Sequence, residues 1–392
     1  MDRSLRAARL ATFAYFAVNG CLLGMWVVHI PGIELRAGID HAVLGPLLLL
    51  LGAGAVAGMR AVGPLTDRFG PRVVVPVAAA LCCAAAVLPG LSVSGWTLGA
   101  ALLVFGLGNG CLDVSMNAHA VLVERGYRRP VMSAFHAVFS LGGLLASLVA
   151  ARTLSWGWSP ATTLSVTAAA GLVVTLAAAR ALLPGGGTGA PPAAGGGRRR
   201  PPRRIWALAA LALMIMMCEG VANDWSALHL RRVLEAPEAT AALAFGAFST
   251  AMTAGRLVAD RVTGRFGPVA VVRYGAAAAA AGLAAAALSP WVAPALAGWA
   301  VFGAGLAGCV PQLFSAAGHA DPAAAAVNVS RVAGLGYLGM LAGPAVIGPL
   351  THLMPLNLTF FLPVALCATA AVAAGVLRPA PAGAPRPAAE TV

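Results

Sequence analysis

Leu10-Ala-Thr-Phe-Ala-Tyr-Phe-Ala-Val-Asn-Gly-Cys-Leu-Leu-Gly-Met-Trp-Val-Val-His-Ile30 runs without a single Asp, Glu, Lys or Arg. A helix needs about 20 mostly apolar residues to cross a hydrocarbon slab. Arg3, Arg6 and Arg9 precede the run, as in a secretory signal. It outlasts the roughly 7–15 residues of a signal h-region, however, and contains no A-x-A cleavage pattern. It reads as a first membrane span.

The same reading recurs along the chain. Apolar segments fall at about 10–30, 42–62, 73–91, 95–120, 131–151, 160–183, 205–228, 239–259, 269–289, 293–317, 327–350 and 355–377, twelve in all. Between the sixth and seventh lies Pro184–Arg204, which contains GGGTGAPPAAGGGRRRPPRR and has no apolar face to bury. Such a composition predicts a flexible basic linker. The expected organisation is a six-helix bundle over 1–183, a cytoplasmic linker over 184–204, and a second six-helix bundle with a short tail over 205–392.

Composition agrees with an all-α polytopic membrane protein. Hydrophobic residues make up 59% of the chain and charged residues 10%, against about 45–50% and 25% in soluble domains. Mean hydropathy is +0.84. So few charges cannot clothe a soluble surface, which excludes a soluble enzyme, a disordered chain and a disulfide-knotted secreted protein.

All 26 basic residues are Arg, and the net charge is +13. In a soluble domain that excess would raise the question of nucleic acid. Here Arg residues sit at segment ends, so topology and anionic headgroups account for them, and no nucleic-acid partner is expected. With the N-terminus inside, the outer loops hold Arg36, Arg152, Arg231 and Arg232, and the other 22 Arg lie inside. The positive-inside rule then places both termini on the cytoplasmic side of the membrane. Trp96, Trp156, Trp158 and Trp291 fall at outer boundaries, where an aromatic belt is expected. His29, His41, His229 and His352 also fall near outer interfaces and are expected to be solvated.

Seven Cys lie inside apolar runs with no CxxC spacing, which reads as helix packing and not as a disulfide framework or metal site. Gly106-Leu-Gly108-Asn-Gly110 has no strand before it and reads as close helix approach. No P-loop is present, so an ATP-driven pump is excluded. No cofactor is expected. The sequons at Asn328 and Asn357 sit at membrane depth and are coincidental.

The two halves echo each other. Phe105-Gly-Leu-Gly108 returns as Phe302-Gly-Ala-Gly305, and Asn19-Gly20…Trp26…His29 returns as Glu219-Gly220…Trp225…His229. Both fit a duplicated six-helix unit around a central cavity.

The loop after the second segment reads Gly63-Pro-Leu65-Thr-Asp67-Arg68-Phe-Gly70-Pro-Arg72, and a degenerate copy follows as Gly255-Arg256…Asp260-Arg261…Arg265-Phe-Gly267. This resembles the signature loop of the major facilitator superfamily. Asp113-Val-Ser-Met-Asn117-Ala-His119, Arg129-Pro-Val-Met-Ser133-Ala-Phe-His136-Ala-Val-Phe-Ser140, Glu219-Gly-Val-Ala-Asn223-Asp224-Trp225 and Met252-Thr-Ala-Gly-Arg256 extend the resemblance. They are most similar to the fucose:proton symporter branch and its uncharacterised inner-membrane relatives. The resemblance implies that Asp113 takes part in proton coupling and that Gly63, Asp67, Arg68, Gly70, Arg72, Arg256, Asp260 and Arg261 form a cytoplasmic gate. The branch also uses an acid in its first span, where this chain has Trp26-Val-Val-His29 and no carboxylate before Glu34.

An ionisable group at mid-bilayer costs about 2.5–3.5 kcal/mol on insertion scales, so each one inside a span needs a reason. Asp113, Glu219 and Asp224 qualify. Asn109, Asp113 and Asn117 are spaced by four and predict one polar stripe on the fourth span; Glu219, Asn223 and Ser226 predict another on the seventh. Asp224 is either a gate or a solvated end. His136 is either a proton relay or a structural hydrogen-bond partner of the fourth span. Trp26 and Trp225 either stack on a substrate ring or pack as anchors.

Together these features predict a secondary transporter and no enzyme: proton-coupled, monomeric, lipid-embedded, moving a small polar solute such as a sugar-like metabolite by alternating access. A drug or metabolite exporter of the same superfamily is the alternative, weakened because the fifth span carries Gly142-Gly143 without the Gly-Pro signature of such exporters.

Overall fold

The computed structural model describes residues 3–39, 41–184 and 203–378. Among them every element is helical. The first half comprises α1 (Arg3–Ala37), α2 (His41–Phe69), α3 (Pro71–Leu91), α4 (Gly95–Tyr127), α5 (Met132–Ser155) and α6 (Pro160–Ala179). The second comprises α7 (Arg203–Arg232), α8 (Glu238–Phe266), α9 (Pro268–Leu288), α10 (Val292–Leu306), α11 (Cys309–Ala320), α12 (Ala325–Leu350), α13 (Leu356–Thr359) and α14 (Phe361–Ala373). Twelve stretches are long and apolar enough to cross a membrane, as expected; α10 with α11 forms the tenth, and α13 with α14 lies in the twelfth.

Residues 185–202 of the expected linker lie outside the described residues, as does the tail beyond Arg378, while Arg203 and Arg204 already belong to α7. Several helices outrun their apolar segments. α4 continues to Tyr127 and α1 starts at Arg3, because intrahelical hydrogen bonding does not stop where side chains turn polar.

Local chemistry sets the ends. Ser94 accepts from the Thr97 amide while Thr97 accepts from the Ser94 amide, closing a capping box before α4. Ser159 caps α6, and Pro160 follows at its first position. Phe69-Gly70-Pro71 and Phe266-Gly267-Pro268 make matching turns in which the glycines take φ of 78° and 82°, a region open to residues without a Cβ. The tenth span breaks at Ala307–Gly308. Pro311 explains the break, since it has no N–H to give the Ala307 carbonyl.

Glycine contacts repeat across the halves. A side chain on Gly20 would strike the Phe139 carbonyl of α5, and one on Gly220 the Met340 carbonyl of α12. Gly106 abuts the Leu51 carbonyl of α2, and Gly303 that of Phe248 in α8. The sequence echoes therefore mark equivalent small-residue crossings.

One buried apolar cluster draws only on residues 8–182. The other draws on residues 205–377 and takes in Ala55, Met59, Val62 and Val114. Packing of α2 on α12 and of α5 on α8 joins them. With twelve crossings, α1 begins on the face where the described chain ends. That face holds the α2–α3, α4–α5 and α8–α9 turns with their Arg residues, and is called the basic face below. Arg36, Arg152, Arg231 and Arg232 lie on the opposite face.

The histidines correct the sequence expectation in part. His352 is exposed. His29 and His229 are instead buried, at 1% and 0% exposure. His29 Nδ1 lies 2.9 Å from the Met25 carbonyl oxygen. The Trp299 indole donates to His229 Nδ1 at 3.3 Å, and Trp299 and Phe360 enclose the ring edge-on. Aromatic residues on α10 and α13–α14 thus replace the water expected around it. The His41 side chain lies outside what is described. All seven Cys are free thiols.

Candidate functional site

Two carboxylates tie the halves together at the basic face. Asp67, near the end of α2, accepts from the amides of Ala326 (2.9 Å) and Val327 (3.0 Å) at the start of α12. Asp260, near the end of α8, accepts from the amides of Ser133 (2.9 Å) and Ala134 (2.8 Å) at the start of α5. Each satisfies orphan donors of a helix in the other half and sits at the positive end of its dipole. Gly63 allows the approach, since a Cβ there would stand 2.9 Å from Ser330 Cβ in α12.

Other members of the predicted gate play different parts. Arg68, Arg72 and Arg261 are exposed, with Arg68 lying 5.2 Å from the centre of the Phe69 ring. Gly70 makes the turn described above. Arg256 points inward, away from the loops. Glu124, Arg125, Ser315 and Ser330 were missed by sequence reading. Glu124 accepts from the Val131 and Met132 amides and from the Ser315 hydroxyl, and Arg125 donates to the Gly318 carbonyl. Ser330 donates to the Met59 carbonyl at 2.6 Å. The loop motif is the signal that sequence offers for this face, and these residues lie outside it.

Deeper in, Asn109, Asp113 and Asn117 lie on one buried face of α4, as predicted. Asn117 donates to the Asp113 carbonyl at 2.9 Å and reaches Asp113 Oδ1 at 3.4 Å. Its own Oδ1 lies 3.2 Å from His136 Nε2 on α5, so His136 joins the α4 stripe through Asn117. Asp113 Oδ2 and Asn109 Oδ1 are buried without a partner among the described residues.

The second half supplies an ion pair. Arg256 Nη2 lies 3.5 Å from Glu219 Oε1, with side chains 11% and 17% exposed. Arg256 also donates to Ser140 Oγ at 2.7 Å, four residues along α5 from His136. Its Nε is buried and unpartnered. Tyr337 of α12 lies within electrostatic reach of Asp113 and Glu219. Tyr337 carries no signal in the sequence, and Ser140 enters there only within the quoted resemblance; their hydroxyls look like ordinary helix packing until the facing helices are known.

The α7 stripe divides. Asn223 and Asp224 are exposed, whereas Ser226 is buried. Trp26 is 2% exposed within the first-half core, while Trp225 is half-buried with a buried, unpartnered indole nitrogen. The two Trp positions match in sequence but not in surroundings.

The geometry is that of two helical halves closed at one face over a buried ionic cluster. The Major Facilitator Superfamily model matches residues 8–337. The chain belongs to the Major Facilitator Superfamily. This facilitator is 33% identical over 368 residues to an uncharacterized MFS-type transporter of Yersinia pestis, covering 93% of this chain and 94% of that one. It is 31% identical to the membrane protein MosC of Rhizobium meliloti, covering 87% and 83%. Among solved structures it is similar to the facilitator FucP in the outward conformation (TM-score 0.81, 13% identity, 96% and 100% covered). It is also similar to the human organic anion transporter MFSD10 (TM-score 0.76, 15% identity, 96% and 100% covered). At such identities these structures speak for the fold alone. The facilitator is therefore a multi-pass membrane protein of a transporter family.

Proposed function

We propose that this facilitator is a proton-coupled secondary transporter of a small polar solute, working by alternating access between helix bundles at 1–183 and 205–392 joined by the 184–204 linker. The basic face is the cytoplasmic one, in a bacterial plasma membrane, and the unit is a monomer. The observation that carries this reading is the pair of membrane-depth acids, Asp113 with an unpartnered oxygen and Glu219 on Arg256. Ionisable groups buried in a span mark ion or proton paths, and these two are drawn from opposite halves. Asp113 is the first proton carrier, Glu219 the second, and His136 a relay through Asn117. Asn109, Asn117, Asn223, Asp224 and Trp225 contribute to the substrate cavity, and Trp26 supports its wall. Asp67 and Asp260, with the loops that carry them, hold the cytoplasmic side closed.

Proteoliposomes with an imposed pH gradient test the reading. Candidate sugars, amino acids, organic acids and cationic drugs are first ranked by their effect on protein stability, then assayed for accumulation. Accumulation that ignores a protonophore would sink the coupling, and none above a passive control would sink transport of those classes.

A further inference from the structure

A second candidate site lies at the basic face, apart from the buried acids. A cavity of about 610 Å³ opens there between the halves, walled by Arg125 in the last turn of α4, Arg128 and Arg129 of the α4–α5 turn, Arg204 of α7, and Gln312 and Ser315 of α11. Ligand cavities of small molecules typically span about 300–1,000 Å³.

The wall holds more cationic donors than it satisfies internally. Glu124, its acid, is 7% exposed and has both oxygens engaged by the Val131 and Met132 amides and the Ser315 hydroxyl. Arg204 donates to the Val376 and Leu377 carbonyls, and Arg125 to that of Gly318. Asp321, near Arg125, accepts from the Ala323 amide. Arg128 and Arg129 remain exposed, with Arg129 resting 5.5 Å from the Tyr127 ring centre. Arg128 takes φ 53° at the end of α4, a cap position where Gly or Asn is the usual occupant.

We propose that this cavity binds a phosphate-bearing ligand, either an anionic lipid headgroup or a soluble phosphate. Planar guanidinium forks match phosphate oxygens two at a time. Glu124 is the one carboxylate among the lining residues and is outnumbered by Arg125, Arg128, Arg129 and Arg204, so the net charge of the wall favours an anion. Because the wall draws on both halves, the ligand binds better when the basic face is closed and shifts the population that way. The inference does not depend on which solute is transported.

The full chain in nanodiscs tests it, with melting temperature as the readout. One arm compares phosphatidylcholine discs with discs in which part of that lipid is replaced by phosphatidylglycerol. The other titrates pyrophosphate into phosphatidylcholine discs. At least one arm should stabilise the protein; the lipid arm alone identifies a headgroup, and pyrophosphate alone a soluble phosphate. The Arg128→Gln/Arg129→Gln variant should lose the effect or weaken apparent affinity about tenfold or more. Arg3→Gln/Arg6→Gln, exposed on the same face outside the cavity, should keep it. If the glutamine variant does not fold, Arg128→Lys/Arg129→Lys keeps the charge without the fork and should still weaken the effect. No stabilisation in either arm overturns the proposal, as does a shift unchanged in the cavity variants or lost equally in the control.

Discussion

Asp67 and Asp260 cap helices of opposite halves from positions one helical turn out of register. The turn glycines Gly70 and Gly267 correspond across the repeat, and by that offset Asp260 falls opposite Gly63, four residues before Asp67. Their targets are equivalent all the same: Asp67 meets Ala326 and Val327, the second and third residues of α12, and Asp260 meets Ser133 and Ala134, the second and third residues of α5. Asp260 therefore reaches the first turn of α5 from one turn further inside its own helix than Asp67 does for α12.

Replacing Asp67 with Asn leaves one acceptor but turns an amide toward the second N–H. Loss of a charged hydrogen bond costs about 1.5–3 kcal/mol, so the ratio of closed to open protein is expected to fall by about tenfold or more. Labelling of Ser133→Cys by an impermeant maleimide, with the seven native cysteines changed to alanine, reads this out. An unchanged labelling rate with wild-type transport removes the gating role. Asp260→Asn should act in the same direction.

Asp113→Asn mimics the protonated acid and keeps its shape. Under the proposed coupling it should abolish accumulation driven by a pH gradient while leaving equilibrative exchange near wild-type rates. Glu219→Gln is the parallel variant. If both still accumulate solute in a protonophore-sensitive way, neither residue carries the proton, and His136 becomes the residue to change.

Arg256 and Glu219 should show strong coupling in stability. Stripping one partner from a buried ion pair costs about 3–5 kcal/mol, whereas neutralising both costs far less. Arg256→Gln alone is thus expected to melt lower than the Arg256→Gln/Glu219→Gln double variant. Additive losses would mean that the 3.5 Å pair contributes nothing.

The repeat itself is testable through Gly106 and Gly303. Alanine at either would drive a methyl into a facing carbonyl, that of Leu51 or Phe248. Overpacking of this kind costs about 1–3 kcal/mol. Similar melting losses for Gly106→Ala and Gly303→Ala are expected. A large loss at one and none at the other would show that the halves pack differently at this crossing.

Much of this architecture is legible in residue order because a bilayer leaves few alternatives. Apolar runs of span length locate the helices, and Asn109, Asp113 and Asn117 share a face because helical periodicity demands it. What stays hidden depends on facing helices. Arg256 reads as part of a loop motif until α8 is seen beside α7 and α5, where it finds Glu219 and Ser140. Tyr337 and Ser330 carry no signal of their own in a Gly-rich helix. His229 looks wet by its depth and is dry because Trp299 and Phe360, distant in sequence, close around it.

Pro311 has a mechanical consequence. The tenth span is not a single rod: α10 packs on α8 and α9, while α11 beyond the break carries Gln312, Ser315 and Gly318, which meet Ser133, Glu124 and Arg125 of the other half. The twelve residues of α11 thus meet the other half from beyond a joint that lacks one hydrogen bond, which predicts that they move further than α10 when the basic face opens. Spin labels placed in α11 should report a larger excursion on opening than labels in α10.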